Sequence, residues 1–345
     1  MNNFRAPSYH AGFTLVEIMV GLAIGMLATL VIMQVISVFE TQKRTTTGTA
    51  DAQTNGSIAL YRIGRELQLA SFALIPASNS PLECTTLNIS GVADTTVPNR
   101  LSPVTITDDT SDTITIRYGD SSTGGVPIEI LSASGVEITV GDNFSCQSGD
   151  TAISVSSDGL TCDMIKVITA SSVTPTTITL AQTAGGPELA CLGQNWNEIT
   201  YAVNNANGKD AHLTRAGIPI IANIVNLQAQ YGISEKPSSN KVDQWVDANS
   251  TNGWDTPSVT DRNRIKAVRL AIVARNPKME MSDVSSPCSA LDAAAPTGLC
   301  AWAGSISSPS PAIDLSADAN WKRYRYRVFE TIIPLRNVIW SKGTL

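Results

Sequence analysis

The sequence predicts an α+β fold: one long N-terminal α-helix, its first half transmembrane, its second half packed on a β-rich globular domain. Three observations carry this. Residues 13–39 are almost continuously apolar. Beyond them an apolar stripe recurs at steps of three and four, through Ala52, Gly56, Ala59, Ile63, Leu67, Ala70 and Leu74, which is the period of an amphipathic helix. From Leu82 onward, short runs rich in β-branched residues alternate with turn formers, the pattern of a β-rich body.

The apolar run comes first. As a helix rising ~1.5 Å per residue, Phe13 to Phe39 spans about 40 Å, more than the ~30 Å hydrocarbon core of a bilayer. It contains no proline to kink it. A secretory signal has a shorter apolar region followed by a small-residue cleavage site; here the small residue, Gly12, precedes the run. One acid, Glu17, interrupts it, and no further charge occurs before Glu40. A carboxylate near the bilayer interior costs at least ~2.5 kcal/mol on insertion scales, so Glu17 either meets a cation or lies near the membrane interface, relieved by snorkelling. Gly21 and Gly25 form a G-x-x-x-G spacing that permits close helix approach. Arg5 on one side and Lys43 and Arg44 on the other leave orientation undecided by charge.

The polar half of the helix is expected over 40–75, ended by Pro76. The body is expected over 76–345, with 82–200 as a possible variable insertion. Strand candidates are TITIRYG from Thr113, GVEITV from Gly135, MIKVIT from Met164 and EITYAV from Glu198. A sharper set follows: Ile224–Ile233, a tryptophan-containing loop from Trp245 to Trp254, Ile265–Arg275 and Tyr324–Trp340. In Ile265–Arg275, alternation places Val268, Leu270, Ile272 and Ala274 on one face and Arg269 and Arg275 on the other.

Six cysteines, all after the apolar run, fit disulfides in an oxidising compartment. None forms C-x-x-C, and His212 is the one histidine beyond residue 10, so a zinc site lacks ligands. Cys288 and Cys300 bracket the short excursion SALDAAAPTGL; a bridge closing such a loop is worth about 3 kcal/mol. The other four allow three pairings, of which Cys146–Cys162 is the expected one.

Gly12-Phe13-Thr14-Leu15-Val16-Glu17 resembles the prepilin peptidase motif of type IV pilins and type II secretion pseudopilins. The resemblance implies a leader, residues 1–12, cut after Gly12, N-methylation of Phe13, and pairing of Glu17 with the terminal amine of a neighbouring subunit. His10-Ala11 stands where that family often has Lys or Arg. The layout from Ile224 onward, with Arg327-Val328-Phe329-Glu330-Thr331-Ile332-Ile333-Pro334-Leu335-Arg336-Asn337, resembles the PilW family of minor pilins. What this implies is a pilin-like fold and a non-enzymatic subunit that initiates type IV pilus assembly at or near the tip. Implied partners are other minor pilins, the major pilin, a tip adhesin, the prepilin peptidase and the inner-membrane assembly platform. The body would be periplasmic, then part of a pilus at the cell surface. The alternatives are a minor pseudopilin of type II secretion and a DNA-binding competence pilin.

No catalytic constellation, cofactor motif or metal motif emerges. His212 has no nucleophile motif beside it. Asp108, Asp109, Asp112 and Asp120 lack EF-hand spacing and read as a solvated loop. Trp321 to Arg327 interleaves bases with aromatics, a composition that can stack nucleic acid. Strand alternation explains it better, with Arg323, Arg325 and Arg327 on a polar face. A formal net charge of −6 disfavours a nucleic-acid partner.

Overall fold

The structure, a computed structural model, describes residues 12–74, 81–96, 100–171, 176–205, 210–290, 295–305, 310–311 and 313–340. The chain divides into two units, Met1–Ala50 and Asp51–Leu345. A single helix, α1 (Leu15–Leu67), opens in the first and ends in the second.

Within the second unit, Ala52, Gly56, Ala59, Ile63, Leu67, Ala70 and Leu74 are all buried. The helix was expected to reach about Ile75 but stops at Leu67; Ile75 and Pro76 lie outside the described residues. The cause is local. Leu69 N donates to Glu66 O and Ala70 N to Leu67 O, a tightening to three-residue turns. Ser71 N then donates to Arg117 O instead of a helical carbonyl, at 2.9 Å. Ser71 and Ala73 take left-handed φ values of 68° and 67°, which a helix does not continue through. The turns still aim Ala70 and Leu74 inward, so the stripe outlasts the helix.

Two open sheets lie under α1. The first contains β3 (Val104–Thr107), β4 (Thr113–Gly119), β11 (Trp196–Asn204), β12 (His212–Arg215) and β13 (Ile218–Ala222), in the order β13-β12-β11-β4-β3. The second contains β14 (Ile224–Ile233), β15 (Gln244–Val246), β16 (Ile265–Met279) and β17 (Tyr324–Pro334), in the order β15-β14-β16-β17. Ala59, Ile63 and Leu67 share one core with Ile114 and Ile116 of β4, Tyr201 of β11, Leu227 and Tyr231 of β14, and Val268, Leu270 and Ile272 of β16. On the other face of β16, Ala271 and Val273 pack with Leu299, Trp302, Ile313 and Leu315. The face expected to be polar is therefore covered. Arg275 is buried, and the Arg269 guanidinium lies over the Trp245 and Trp302 rings, 4.9 and 4.1 Å from their centroids.

β4 and β11 are adjacent antiparallel strands, with Gly119 opposite Trp196. Everything between them is an excursion containing β5 (Pro127–Ser134), β6 (Glu137–Val140), β7 (Thr151–Val155), β8 (Thr161–Ala170), β9 (Thr176–Leu180) and β10 (Glu188–Gly193). The pairing runs β8-β7-β10-β5-β6-β9 and returns to β8, so these six antiparallel strands close into a barrel. Its interior holds Ile128, Ile138, Ile165, Val167, Ile178 and Leu189. At the neck, Asp120 Oδ1 accepts from Asn195 N (3.0 Å) and Oδ2 from Asn195 Nδ2 (2.8 Å). Outside the ring, β1 (Thr86–Ile89) pairs in parallel with β8 and carries β2 (Val92–Ala93).

Three disulfides join Cys84 to Cys162, Cys146 to Cys191 and Cys288 to Cys300. The expected Cys146–Cys162 pair is corrected. Strand alternation explains it: Cys162 and Met164 point from β8 toward Leu82, Leu87 and Leu101, whereas Ile165 and Val167 point into the barrel. Cys146 lies inside the barrel with Cys191, on the side of β8 that Cys162 does not face.

Candidate assembly interface

The first candidate surface is the N-terminal half of α1. Thr14 starts the helix: its Oγ1 accepts from Glu17 N at 3.2 Å. Thr14 and Glu17 thus occupy the two ends of a Thr-x-x-Glu capping spacing, with the acid in the first turn where the helix dipole favours it. Every large apolar side chain from Phe13 to Phe39 is exposed. With an 18-residue window of mean hydropathy 2.4, this is a helix long and apolar enough to cross a membrane. Exposed apolar surface on that scale has to be covered, by lipid or by other helices. At Gly21 and Gly25 no atom lies within 4 Å of where a Cβ would sit, so a smooth strip is open to a neighbour. Gly12 and Phe13 are described ahead of the helix; the rest of the expected leader, 1–11, lies outside the described residues.

The second surface is where α1 meets β17. Ser57, Leu60, Tyr61, Gly64, Arg65 and Gln68 form one wall of a groove of about 520 Å³, and Phe329 and Thr331 to Pro334 form the other. Gly56 lets the strand approach: a Cβ there would lie 2.1 Å from Phe329 Cε2. Past the groove, the short helix α2 (Arg336–Trp340) turns Asn337 under the end of α1. Asn337 Nδ2 donates toward the carbonyls of Ala70 (3.0 Å), Leu69 and Gln68 (both 3.4 Å). These carbonyls belong to the turns that follow α1, where Leu69 O also accepts from Phe72 N at 2.8 Å. Across the helix, Arg215 of β12 grips Glu66 Oε1 through Nη2 (2.7 Å) and Nε (2.9 Å). The hydrogen bond to Glu66 raises the Arg215 pKa, while burial and the same carboxylate push the Tyr201 phenol well above its usual value.

His212 Nδ1 lies 2.6 Å from Asp210 O, and the cleft it lines contains one acid, Asp210. Asp108, Asp109 and Asp120 are exposed, but Asp112 is buried at 2% exposure, which corrects the reading of all four as a solvated loop. Its Oδ2 accepts from Ala229 N, fastening the start of β4 to β14. Among the described residues no group of three His, Cys, Asp or Glu side chains is placed to hold a metal ion. In the basic–aromatic run, Arg323 Nε and Arg325 Nε donate to Glu280 O and Oε1, both at 2.9 Å. Trp321, Tyr326 and Val328 pack on the Trp302 cluster.

An exposed apolar N-terminal helix that continues into a β body is the architecture of a type IV pilin. Two matches to family models carry the assignment further. Residues 7–33 match the prokaryotic N-terminal methylation motif, and residues 180–337 match the type IV pilus-assembly protein W family, PilW. The two matches support the reading of this chain as a type IV pilin of the PilW family. No curated protein and no solved structure matches it. The PilW match takes in β11 to β17 and ends on Asn337, whereas β5 to β8 lie wholly outside it. Asn337 and Glu66 are the site residues that sequence reasoning missed. The signal for Asn337 was an Asn beyond Pro334-Leu335, at the end of a run already singled out. The signal for Glu66 was an acid adjoining Leu67 of the buried stripe.

Proposed function

We propose that this protein is a minor pilin that helps initiate type IV pilus assembly and stays at or near the filament tip. It performs no catalysis. The prepilin peptidase cuts after Gly12, Phe13 is N-methylated, and Glu17 meets the amine of a neighbour's first residue during assembly. Residues 13–39 anchor the chain in the inner membrane with the body periplasmic, until the assembly platform passes it into the filament. Its partners are the other minor pilins, the major pilin and a tip adhesin.

The observation that supports the tip most directly is the barrel inserted between β4 and β11. Residues 76–345 have a radius of gyration of roughly 18 Å by compact-domain scaling. Subunits of a shaft stack through their N-terminal helices, so bodies of this size would crowd one another at every repeat. At a terminus one side is open. Immunogold labelling of sheared pili tests this: gold clustered at one end is expected, and even labelling along the shaft overturns the tip assignment. Processing has its own readout. N-terminal sequencing of protein from cells with active peptidase is expected to begin at Phe13, and an intact leader would overturn the cleavage site.

A further inference from the structure

We infer that the free edge of β17 is a docking site for an extended strand of another polypeptide, apolar at alternate positions and carrying a carboxylate toward Arg65.

Edge strands are normally kept short or blunted, because their unpaired N–H and C=O groups template further pairing. Among the described residues the other open edges follow this rule: β2 has two residues, β15 three, β3 four and β13 five. β17 has eleven and pairs only with β16. Its first half is guarded. Ser285 Oγ donates to Tyr324 O at 2.6 Å, and Arg325, Arg327 and Glu330 supply charge. Thr331 to Ile333 carry none of these devices, and Ile332 is 56% exposed.

The backbone there points outward. Leu335 N donates to Lys266 O, so Ile333 and Thr331 also face β16, and the N–H and C=O of Ile332 and Glu330 face the free side. The groove runs beside this stretch, with Leu60 and Tyr61 as an apolar wall. Extended peptides use this combination: main-chain hydrogen bonds give affinity and an adjacent groove takes alternate side chains. Charge selects the occupant. Arg65 lines the groove and Arg62 is exposed one turn earlier; no ion pair among the described residues engages either. An acidic strand satisfies these cations, and a basic one is repelled.

This inference rests on the reading of the chain as a subunit of a larger assembly, which filament counts in the same cells test separately. The experiment is photo-cross-linking of the full chain, Tyr61→p-benzoylphenylalanine, in cells expressing the whole assembly, with the adduct mapped by mass spectrometry. The expected adduct lies in an extended segment with an Asp or Glu within two positions. Ile332→Pro removes a donor from the free edge and none from the β16 ladder, where proline is tolerated; it is expected to cut the adduct at least tenfold with all three disulfides intact. No adduct, an adduct on a helix or on a second copy of this chain, or one unchanged by Ile332→Pro overturns the inference. Should Ile332→Pro fail to form its disulfides, Arg65→Glu takes its place. A tenfold loss restored by Lys at the partner's acid supports the strand, and no loss overturns it.

Discussion

At position 112 a carboxyl group sits almost wholly out of water, between the start of β4 and β14. Burial pushes its pKa up to about 8, outweighing hydrogen bonds from Ala229 N and Asp109 N that favour the charged form; Asp108 and Asp247 add to the rise. In the unfolded chain the group titrates near ~3.9. Between those values the folded state holds a proton that the unfolded state has released. Its stabilising contribution is therefore complete below about pH 4 and is lost as pH rises through about 8. The urea midpoint of the protein in detergent is expected to fall between pH 5 and pH 8, and Asp112→Asn is expected to flatten that slope. An unchanged slope in the variant would assign the pH dependence to other groups. Gly56 makes a second case at this scale. Glycine inside a helix costs ~1 kcal/mol relative to Ala, and here it makes room for the Phe329 ring. Gly56→Val is expected to destabilise by ~1–3 kcal/mol through overpacking. Phe329→Leu should recover part of that loss in the double variant, giving a non-additive cycle in denaturant unfolding.

At the scale of elements, legibility followed periodicity. β4 and β14 occupy the bounds that alternation gave them, Thr113–Gly119 and Ile224–Ile233. The helix start was nearly as clear, expected at about Phe13 and found at Leu15, because the apolar run opens there. The helix end was not, since nothing local announces that Ser71 will bond to Arg117 O across the fold. Buried polar positions were also hidden. Asn226, Gln228 and Gln230 alternate with apolar residues as a solvent-facing row would, yet all are buried. Asn226 and Gln228 donate to Thr110 O and Gln230 to Asp247 Oδ1, and those partners come from distant segments that alternation cannot see. The same long-range logic governs Asn337, which joins the last element to the first. Asn337→Ala takes that donor from the carbonyls of the turns after α1 and is expected to cost about 1–2 kcal/mol. Hydrogen exchange should show the effect as faster exchange in 60–70 with little change in the barrel. Asn337→Asp, which sets a negative charge against those carbonyls, should cost more.

For the whole molecule, the barrel was legible as strands but not as a closed ring, because closure depends on β8 pairing with β7 on one side and with β1 and then β9 on the other. The disulfides divide along the same line. Cys146–Cys191 lies inside the barrel and spans 45 residues, while Cys84–Cys162 ties β8 to the segment before β1 and spans 78. By the chain-entropy model a 45-residue closure is worth about 4 kcal/mol, a large share of what a module of six short strands can muster alone. The core under α1 shares no residue with the barrel interior. Removing the inner bridge should therefore loosen one core and spare the other. In Cys146→Ala/Cys191→Ala, thermal unfolding is expected to separate into two steps. Proteolysis should nick residues 120–195 first, leaving a resistant remainder with α1 and β11 to β17. Loss of the outer bridge, Cys84→Ala/Cys162→Ala, should instead free the segment before β1 while the barrel stays protected. A single cooperative transition with uniform loss of protection in both variants would mean that the barrel and the pilin body fold as one unit, with the neck at Asp120 and Asn195 transmitting stability rather than insulating it.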